Sequence, residues 1–266
     1  MSSPADRSVV FVHGLWVHAD SWADWIERFG AAGYSASAPG WPGDGASVDE
    51  TRQNASAVAG HGINDVVDHY ARIIQAMDSK PVVVGHSFGG LIVQRLLAEG
   101  HASAGVAIDP APIKGVVYLP PSALRVASVA LRNPANRKGA VSLTEKQFRY
   151  GFGNALSEQE SKDLYERWAI PSPGKPLFEA ASANLSRNSP AKVDTRAARG
   201  PLLVTAGGKD HTVPQAISKA TAKLYAHSEA VTDYREFPDR GHSLTIDSGW
   251  TDVADAALAW LSDRGL

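Results

Sequence analysis

A serine flanked by glycines, Gly-His-Ser-Phe-Gly at residues 85–89, constrains the fold more than any other feature of the chain. The β-branched run at 81–84 predicts a short buried strand before it, and the apolar periodicity of 91–99 predicts a helix after it. A Gly-x-Ser-x-Gly turn in this context is typical of a nucleophile elbow, because the glycines avoid collisions in so tight a turn. The helix N-terminus also favours negative charge near the Ser87 hydroxyl. Ser87 is therefore a predicted nucleophile rather than a chance serine in a glycine-rich turn.

A nucleophilic serine needs a base to remove its proton and an acid to orient that base. An apolar run at 201–207 predicts a strand, and Asp210 lies in the loop after it, before a helix that opens near Pro214. A last short strand is predicted at 233–238, and His242 follows it. We therefore predict that Asp210 is the acid and His242 is the base.

The order Ser87, Asp210, His242, with each residue just after a strand, resembles the α/β-hydrolase superfamily of serine hydrolases, which includes esterases and lipases. The resemblance extends over nearly the whole chain. It implies an α/β fold with a mostly parallel, doubly wound sheet and an inserted helical cap. The family usually opens with an antiparallel pair of strands for which this chain has no room. The sheet is therefore expected to be short by about two strands.

A His-Gly turn follows another predicted strand at residues 8–12. In the family, the residue after this glycine supplies one backbone N–H of the oxyanion hole, which here is Leu15. The second N–H is that of Phe88, the residue after the nucleophile. The string at 13–22 is also similar to plant methylesterases and hydroxynitrile lyases. In that group the second histidine, here His18, is mostly structural.

The alternation of predicted strands and helices indicates one α/β core interrupted by a helical insertion. The core is predicted at 1–119 and 196–266, with further strands at 34–38 and 104–108. The pattern of strands lapses between them, and residues 120–195 are predicted to form the cap. The alternative is a second independent domain, which is less favoured because the sheet resumes at Pro201.

Four helices are predicted in the cap, around 122–131, 144–152, 157–168 and 177–185, two of them preceded by capping-box patterns. A cap creates a largely apolar cavity, which suits acyl groups with hydrocarbon character. Five aromatic residues could line this cavity, although packing between the cap helices is the favoured role for each of them: Phe148, Tyr150, Phe152, Trp168 and Phe178.

Two further residues near the predicted site need a separate interpretation. Asp109 ends the strand after the elbow helix, where some family members place the catalytic acid, but the loop around Asp210 favours Asp210. His86 lies inside the elbow and is predicted to be a structural hydrogen-bonding group. The chain has nine histidines, and their spacing matches no metal-binding motif. No metal or cofactor is expected.

Composition restricts the possible partners. The chain has 266 residues with 44% apolar content, so it can bury a substantial core as one α/β domain. Its formal net charge of −2 gives no reason to expect nucleic acid or a membrane as a partner. It contains no cysteine, which excludes disulfides and thiolate metal sites. The N-terminal residues lack the apolar stretch of a signal peptide, so a cytoplasmic location is expected. The oligomeric state is left open.

These features together predict a serine hydrolase that cleaves a carboxylic ester, or a related acyl compound, through an acyl-enzyme on Ser87. The expected substrate is a small ester-like molecule. Lactone or C–C bond hydrolysis, acyl transfer and cyanohydrin cleavage are alternatives with the same triad. A ligand-binding receptor built on a hydrolase scaffold is a further alternative, and it predicts saturable binding with negligible turnover.

Overall fold

The computed structural model describes residues 7–118 and 120–266, so residues 1–6 and 119 of the predicted core lie outside the described residues. The predicted fold class is confirmed. Six parallel strands form one sheet in the order β2-β1-β3-β4-β7-β8, and helices cover both of its faces. The strands are β1 (Ser8–Val12), β2 (Ser35–Ser37), β3 (Val82–His86), β4 (Ala104–Ile108), β7 (Leu202–Gly207) and β8 (Thr232–Phe237). Within the described residues, no strand precedes β1.

Ten α-helices are present in the described residues, accompanied by two short 3₁₀ helices at Ala19–Trp22 and Pro134–Lys138. The α-helices are α1 (Ala23–Ala31), α2 (Val48–Gln53), α3 (Ile63–Gln75), α4 (Phe88–Ala98), α5 (Pro121–Leu131), α6 (Glu145–Gly151), α7 (Glu158–Trp168), α8 (Lys175–Ala181), α9 (Gln215–Leu224) and α10 (Trp250–Ser262). In the described residues, no helix is long and apolar enough to cross a lipid bilayer.

The alternating direction of the side chains along β1 explains the two layers of helices. Val9 and Phe11 point to one face of the sheet and pack with the aromatic residues of α1 and with α10. Val10 and Val12 point to the other face and pack with α3 and α4. Successive side chains of a strand point to opposite faces, so a fully apolar strand must be buried on both of them.

Parallel register brings the functional loops together. His86 on β3 is paired with Ile108 on β4, and Ile108 is paired with Thr205 on β7. Gly207, at the end of β7, is paired with Phe237, at the end of β8. The carboxyl ends of these strands therefore lie along one edge of the sheet, where ligand sites of open α/β sheets form.

The segment between β4 and β7 contains α5 to α8, close to the four predicted helices. The capping box at Thr144 and Gln147 is present, since each side chain bonds the other residue's backbone N–H. The last helix ends at Ala181, before the predicted 185, because Ser182 already leaves the helical conformation. A two-stranded antiparallel sheet of β5 (Ala140–Val141) and β6 (Ser172–Pro173) was not predicted. The division of the chain at 120 and 195 stays a prediction.

The loop after β1 is fastened to this segment by hydrogen bonds. The backbone N–H of Trp16 donates to Ser172 Oγ over 2.6 Å, and its indole N–H donates to the carbonyl of Val141 over 3.0 Å. The N–H of His18 donates to the carbonyl of Trp168 over 3.1 Å. The segment is therefore held against the same edge of the sheet that carries the elbow.

Candidate active site

Ser87 occupies a strained turn between β3 and α4. Its φ of 58° and ψ of −120° lie in a region that side chains rarely adopt, at a cost of roughly 1–3 kcal/mol. A Cβ atom on Gly85 would lie 2.4 Å from the carbonyl oxygen of Gly89, and one on Gly89 would lie 2.1 Å from that of Val12. The two glycines are therefore required by close backbone approach, and together they hold the serine at the N-terminus of α4.

Asp210 and His242 form a buried pair on neighbouring loops. Nδ1 of His242 donates to Oδ2 of Asp210 over 2.6 Å, and both side chains are fully buried. Oδ1 of Asp210 accepts the N–H groups of Thr212 and Val213 over 2.6 and 2.8 Å. Burial would raise the pKa of Asp210, but His242 and these hydrogen bonds hold its pKa below the ordinary value. The carboxylate is therefore ionised and fixes the orientation of the imidazole.

The other nitrogen of His242 is not hydrogen-bonded to Ser87. Its Nε2 atom is buried and has no hydrogen-bond partner among the described residues. The ring lies 4.5 Å from the ring of His86 and 4.7 Å from that of Phe152, measured between centroids. His86 directly precedes Ser87, so the free nitrogen belongs to a ring packed against the elbow. Hydrogen bonds between base and nucleophile are often long before substrate binds.

The two predicted oxyanion donors lie beside Ser87. Leu15 and Phe88 line the same pocket as the serine. Neither backbone N–H donates to a described residue. Gly14 allows this approach, because a Cβ atom there would lie 2.7 Å from Ser87 Cβ and 2.8 Å from the carbonyl oxygen of His86. Two free N–H groups beside a buried hydroxyl form an arrangement that can stabilise an oxyanion.

A network that the sequence analysis missed holds the His-Gly turn. Nδ1 of His13 donates to the carbonyl of Gly14 over 2.8 Å, and its Nε2 lies 2.9 Å from Oδ2 of Asp44. Asp44 also accepts the N–H of Trp41, whose indole N–H donates to the His13 carbonyl. A peptide C=O and the following N–H point in opposite directions. The bond to the Gly14 carbonyl therefore sets the direction of the Leu15 N–H.

Asp109 lies beneath the Asp210–His242 pair and does not replace Asp210 as the partner of His242. It is fully buried at the end of β4, and both its carboxyl oxygens accept the N–H of Gly207, over 2.9 and 3.1 Å. Burial and the neighbouring Asp210 raise the pKa of Asp109 well above its ordinary value. One atom each of Asp109, Asp210 and His242 lies within 4.8 Å of the others. Because Nδ1 of His242 already donates to Asp210, this nitrogen is not free to bind a metal ion.

The ring of His18 is hydrogen-bonded at both nitrogens, whereas Nε2 of His86, a predicted hydrogen-bonding group, is buried without a partner among the described residues. His18 accepts the N–H of Asp20 at Nδ1, and its Nε2 lies 3.1 Å from the carbonyl of Gly45. Burial, followed by the neighbouring His242, lowers the pKa of His86 well below its ordinary value, so its ring is neutral. Neither side chain lines the pocket beside Ser87.

The pocket above Ser87 is largely apolar, with Trp16, Phe88 and Tyr118 among its lining residues. None of the five aromatic residues considered from the sequence is among its lining residues, so the suggestion that they line the cavity is wrong. Phe148 and Phe152 instead stack on each other at 4.8 Å, in the core of the segment. No lining residue in the described part of the chain carries a charge. Those from α5 and α8 are mostly small or branched aliphatic residues: Ala123, Leu124, Val126, Ala127, Leu131, Leu177, Ala180 and Ala181.

Comparison with known proteins gives a family and a set of similar structures. The model of the alpha/beta hydrolase family matches residues 9–256. A monoacylglycerol lipase from Paleococcus ferrophilus is 23% identical, with a TM-score of 0.68 over 96% of this chain and 93% of the lipase. A methylesterase from Arabidopsis is 16% identical, with a TM-score of 0.67 over 96% of this chain and 99% of its own.

A thermophilic esterase from Thermogutta terrifontis is also similar in structure. It is 18% identical, with a TM-score of 0.65 over 97% of this chain and 90% of the esterase. At these identities the structural similarities establish the fold. A search of curated protein sequences gives no match.

Proposed function

Since the chain belongs to the alpha/beta hydrolase family, we propose that it is a serine hydrolase that cleaves an uncharged carboxylic ester through an acyl-enzyme on Ser87. The observation that carries this proposal is the buried Asp210–His242 pair, whose free Nε2 lies in a ring packed against the elbow. A serine hydroxyl reacts with a carbonyl only when a positioned base takes its proton. The three residues provide the nucleophile, the base and the orienting acid.

The first step forms the acyl-enzyme. Nε2 of His242 takes the proton of Ser87 as Oγ attacks the ester carbonyl, and Asp210 stabilises the resulting imidazolium. The negative charge that develops on the carbonyl oxygen is stabilised by the N–H groups of Leu15 and Phe88. Loss of one such donor typically costs about 3 kcal/mol of transition-state stabilisation. The imidazolium then protonates the leaving alcohol.

The second step reverses the roles. A water molecule attacks the acyl carbonyl, and His242 takes its proton while the same two N–H groups stabilise the oxyanion. Collapse of the tetrahedral intermediate returns the proton to Ser87 and releases the carboxylic acid. This cycle requires only the chain's own residues and water.

The uncharged, largely apolar pocket supports the choice of substrate. We propose that segment 120–195 acts as a cap, with α5 and α8 forming the wall that receives the acyl chain. A charged group in this pocket would lose its hydration without gaining a partner, whereas a hydrocarbon group would gain about 25 cal/mol per Å² of buried surface. Similar structures described as a methylesterase, a lipase and an esterase agree with an ester substrate.

The experiment that tests this proposal measures hydrolysis of p-nitrophenyl esters from acetate to decanoate. Ser87→Ala is expected to lower kcat at least about a thousandfold, since the nucleophile and its proton transfer are both lost. The chain length with the highest kcat/KM would report the length of the acyl pocket. Ser262→Ala, at an exposed position near the end of α10, serves as the matched control and is expected to retain full activity.

Activity that survives in Ser87→Ala would remove the nucleophile from this proposal. Absence of turnover in both proteins, together with saturable binding of the esters, would instead favour a receptor. Turnover of lactones or of C–C substrates without turnover of esters would keep the triad and change the reaction class.

A further inference from the structure

Two carboxyl groups are buried together beneath the catalytic histidine. Asp109 is 0% exposed and Asp210 is 4% exposed, and one oxygen of each lies within 4.8 Å of the other and of a His242 nitrogen. Two ionised carboxylates at this distance repel each other strongly when both are buried away from water. A pair of this kind is stable only if a cation or a proton neutralises one member.

The groups around Asp109 supply no cation in the described part of the chain. The titratable groups near it are Asp210 and His242 from the loops, His86 at the end of β3, and Tyr234 on β8. His86 is neutral, and neither carboxyl forms an ion pair with a lysine or arginine in the described part of the chain. As the proposed base, His242 is neutral before the reaction, so its hydrogen bond to Asp210 stabilises that carboxylate without cancelling its charge. A proton must therefore remain on the pair.

The contacts assign this proton to Asp109. Asp210 accepts two backbone N–H groups and the imidazole, which together favour its ionised form. Asp109 accepts a single N–H, that of Gly207, which is shared between its two oxygens. A carboxyl group with fewer donors and full burial is the one that stays neutral. The pKa of Asp109, raised well above its ordinary value by burial and by Asp210, agrees with this assignment.

We propose that Asp109 is a positioning residue that stays protonated through the reaction and donates its carboxyl proton to the Asp210 carboxylate. This inference rests on the proposed triad. The donated hydrogen bond leaves Asp210 as the single anion of the cluster and limits how far its carboxylate can rotate. Asp210 in turn fixes the imidazole of His242. The proton of Asp109 does not take part in the transfer between Ser87, His242 and the substrate.

The first test is the pH profile of kcat/KM for Asp109→Asn. Asparagine is neutral, can donate to Asp210 and accept from Gly207, and tolerates the positive φ of 43° at this position. If Asp109 is already neutral, the pH at the midpoint of the acidic limb of this profile is unchanged, and kcat/KM stays within about threefold of the parent. If Asp109 is ionised, asparagine removes an anion that favours protonated His242. The limb would then move to lower pH by about one unit or more, which would overturn the proposal.

The second test removes the donor. Asp109→Gly adopts the same positive φ without strain but cannot donate to Asp210. It is expected to lower kcat/KM about tenfold or more relative to Asp109→Asn, with the acidic limb displaced to higher pH. Equal activity and equal midpoints for the two variants would show that donation is not used. If Asp109→Gly does not fold, the other two measurements decide the question.

The third test does not depend on turnover. Infrared difference spectra at pH 7 compare Ser87→Ala with Ser87→Ala/Asp109→Asn. The C=O stretch of a protonated carboxylic acid is expected in the first protein and absent from the second. Its absence from both would overturn the assignment of the proton. Because both proteins lack the nucleophile, this result stands whether or not the proposed ester hydrolysis is correct.

Discussion

The edge of the sheet and the wall of the pocket are built in opposite ways. At the edge, Ser87, Asp210 and His242 are held by backbone approach and by buried hydrogen bonds of 2.6 to 2.8 Å. At the wall, α5 and α8 present aliphatic side chains that make no hydrogen bond to these groups. Hydrogen bonds therefore fix the positions of the groups proposed to react, whereas the proposed acyl site is defined only by the shape of its aliphatic side chains. The comparison predicts large effects at the edge and small, substrate-dependent effects at the wall.

The largest effect is expected for Asp210→Asn. The amide keeps the size of the side chain but favours the wrong tautomer of His242, so kcat is expected to fall about 10⁴-fold. Steady-state kinetics on the best p-nitrophenyl ester measures it, and Asp239→Asn, at a largely exposed carboxylate, is the matched control. A loss below about tenfold would mean that Asp109 can orient the histidine instead, contrary to the assignment of Asp210.

Gly14→Ala is expected to have the next largest effect, although it changes no reacting group. The new Cβ would lie 2.7 Å from Ser87 Cβ and must push the turn away from the elbow. Displacement of about 1 Å at a reacting centre lowers kcat about a hundredfold. Gly30→Ala is the control, because no atom lies within 4 Å of a Cβ at that position. Unchanged kcat in Gly14→Ala would show that the Leu15 N–H does not contribute to the oxyanion hole.

Asp44→Asn is expected to have a smaller effect on the same hole. It weakens the contact that holds His13 and, through it, the carbonyl of Gly14. A hydrogen bond to a charged group contributes about 1.5–3 kcal/mol, so kcat is expected to fall about tenfold with little change in KM. Asp49→Asn, on the exposed face of α2, is the control. A rise in KM at constant kcat would place Asp44 in substrate binding instead.

The smallest effect on the chemistry is expected at the wall. Ala127→Leu fills part of the pocket from its α5 side. We expect kcat for the acetate ester to stay within about threefold of the parent, while the preferred chain length becomes shorter. Ala226→Leu, at an exposed position after α9, is the control. A large loss on acetate would show that the wall and the edge are coupled, and the comparison would fail.

The edge was predictable from the sequence because short local patterns encode it. The bounds of β1 and β4 agree with the predicted strands at 8–12 and 104–108, since continuous apolar runs bounded by turns have few alternatives. The elbow pattern requires glycines for steric reasons, and the structure contains the close contacts that explain them at Gly85 and Gly89. Asp210 and His242 were paired from the order of the motifs, and they are in contact.

The supporting contacts and the wall were not predictable in the same way. Asp44 meets His13 across a long loop, and no local pattern indicates that contact. For the aromatic residues of segment 120–195 the sequence favoured packing over lining the pocket, and Phe148 stacks on Phe152, but it did not indicate which residues line the pocket instead. The strands β5 and β6 have two residues each, too few to produce an alternating pattern. Tertiary packing decides these features, so they appear only in the folded chain.

The most direct test of the central claim is covalent trapping of the nucleophile. The protein is incubated with a fluorophosphonate, which captures a serine activated by a neighbouring base, and the digested peptides are analysed by mass spectrometry. We predict a single phosphonyl adduct on Ser87 of the parent protein and no adduct in Ser87→Ala. In Asp210→Asn we expect the adduct to form more slowly than in the parent protein. An adduct on another serine, or an unreactive Ser87 in the folded parent protein, would contradict the account.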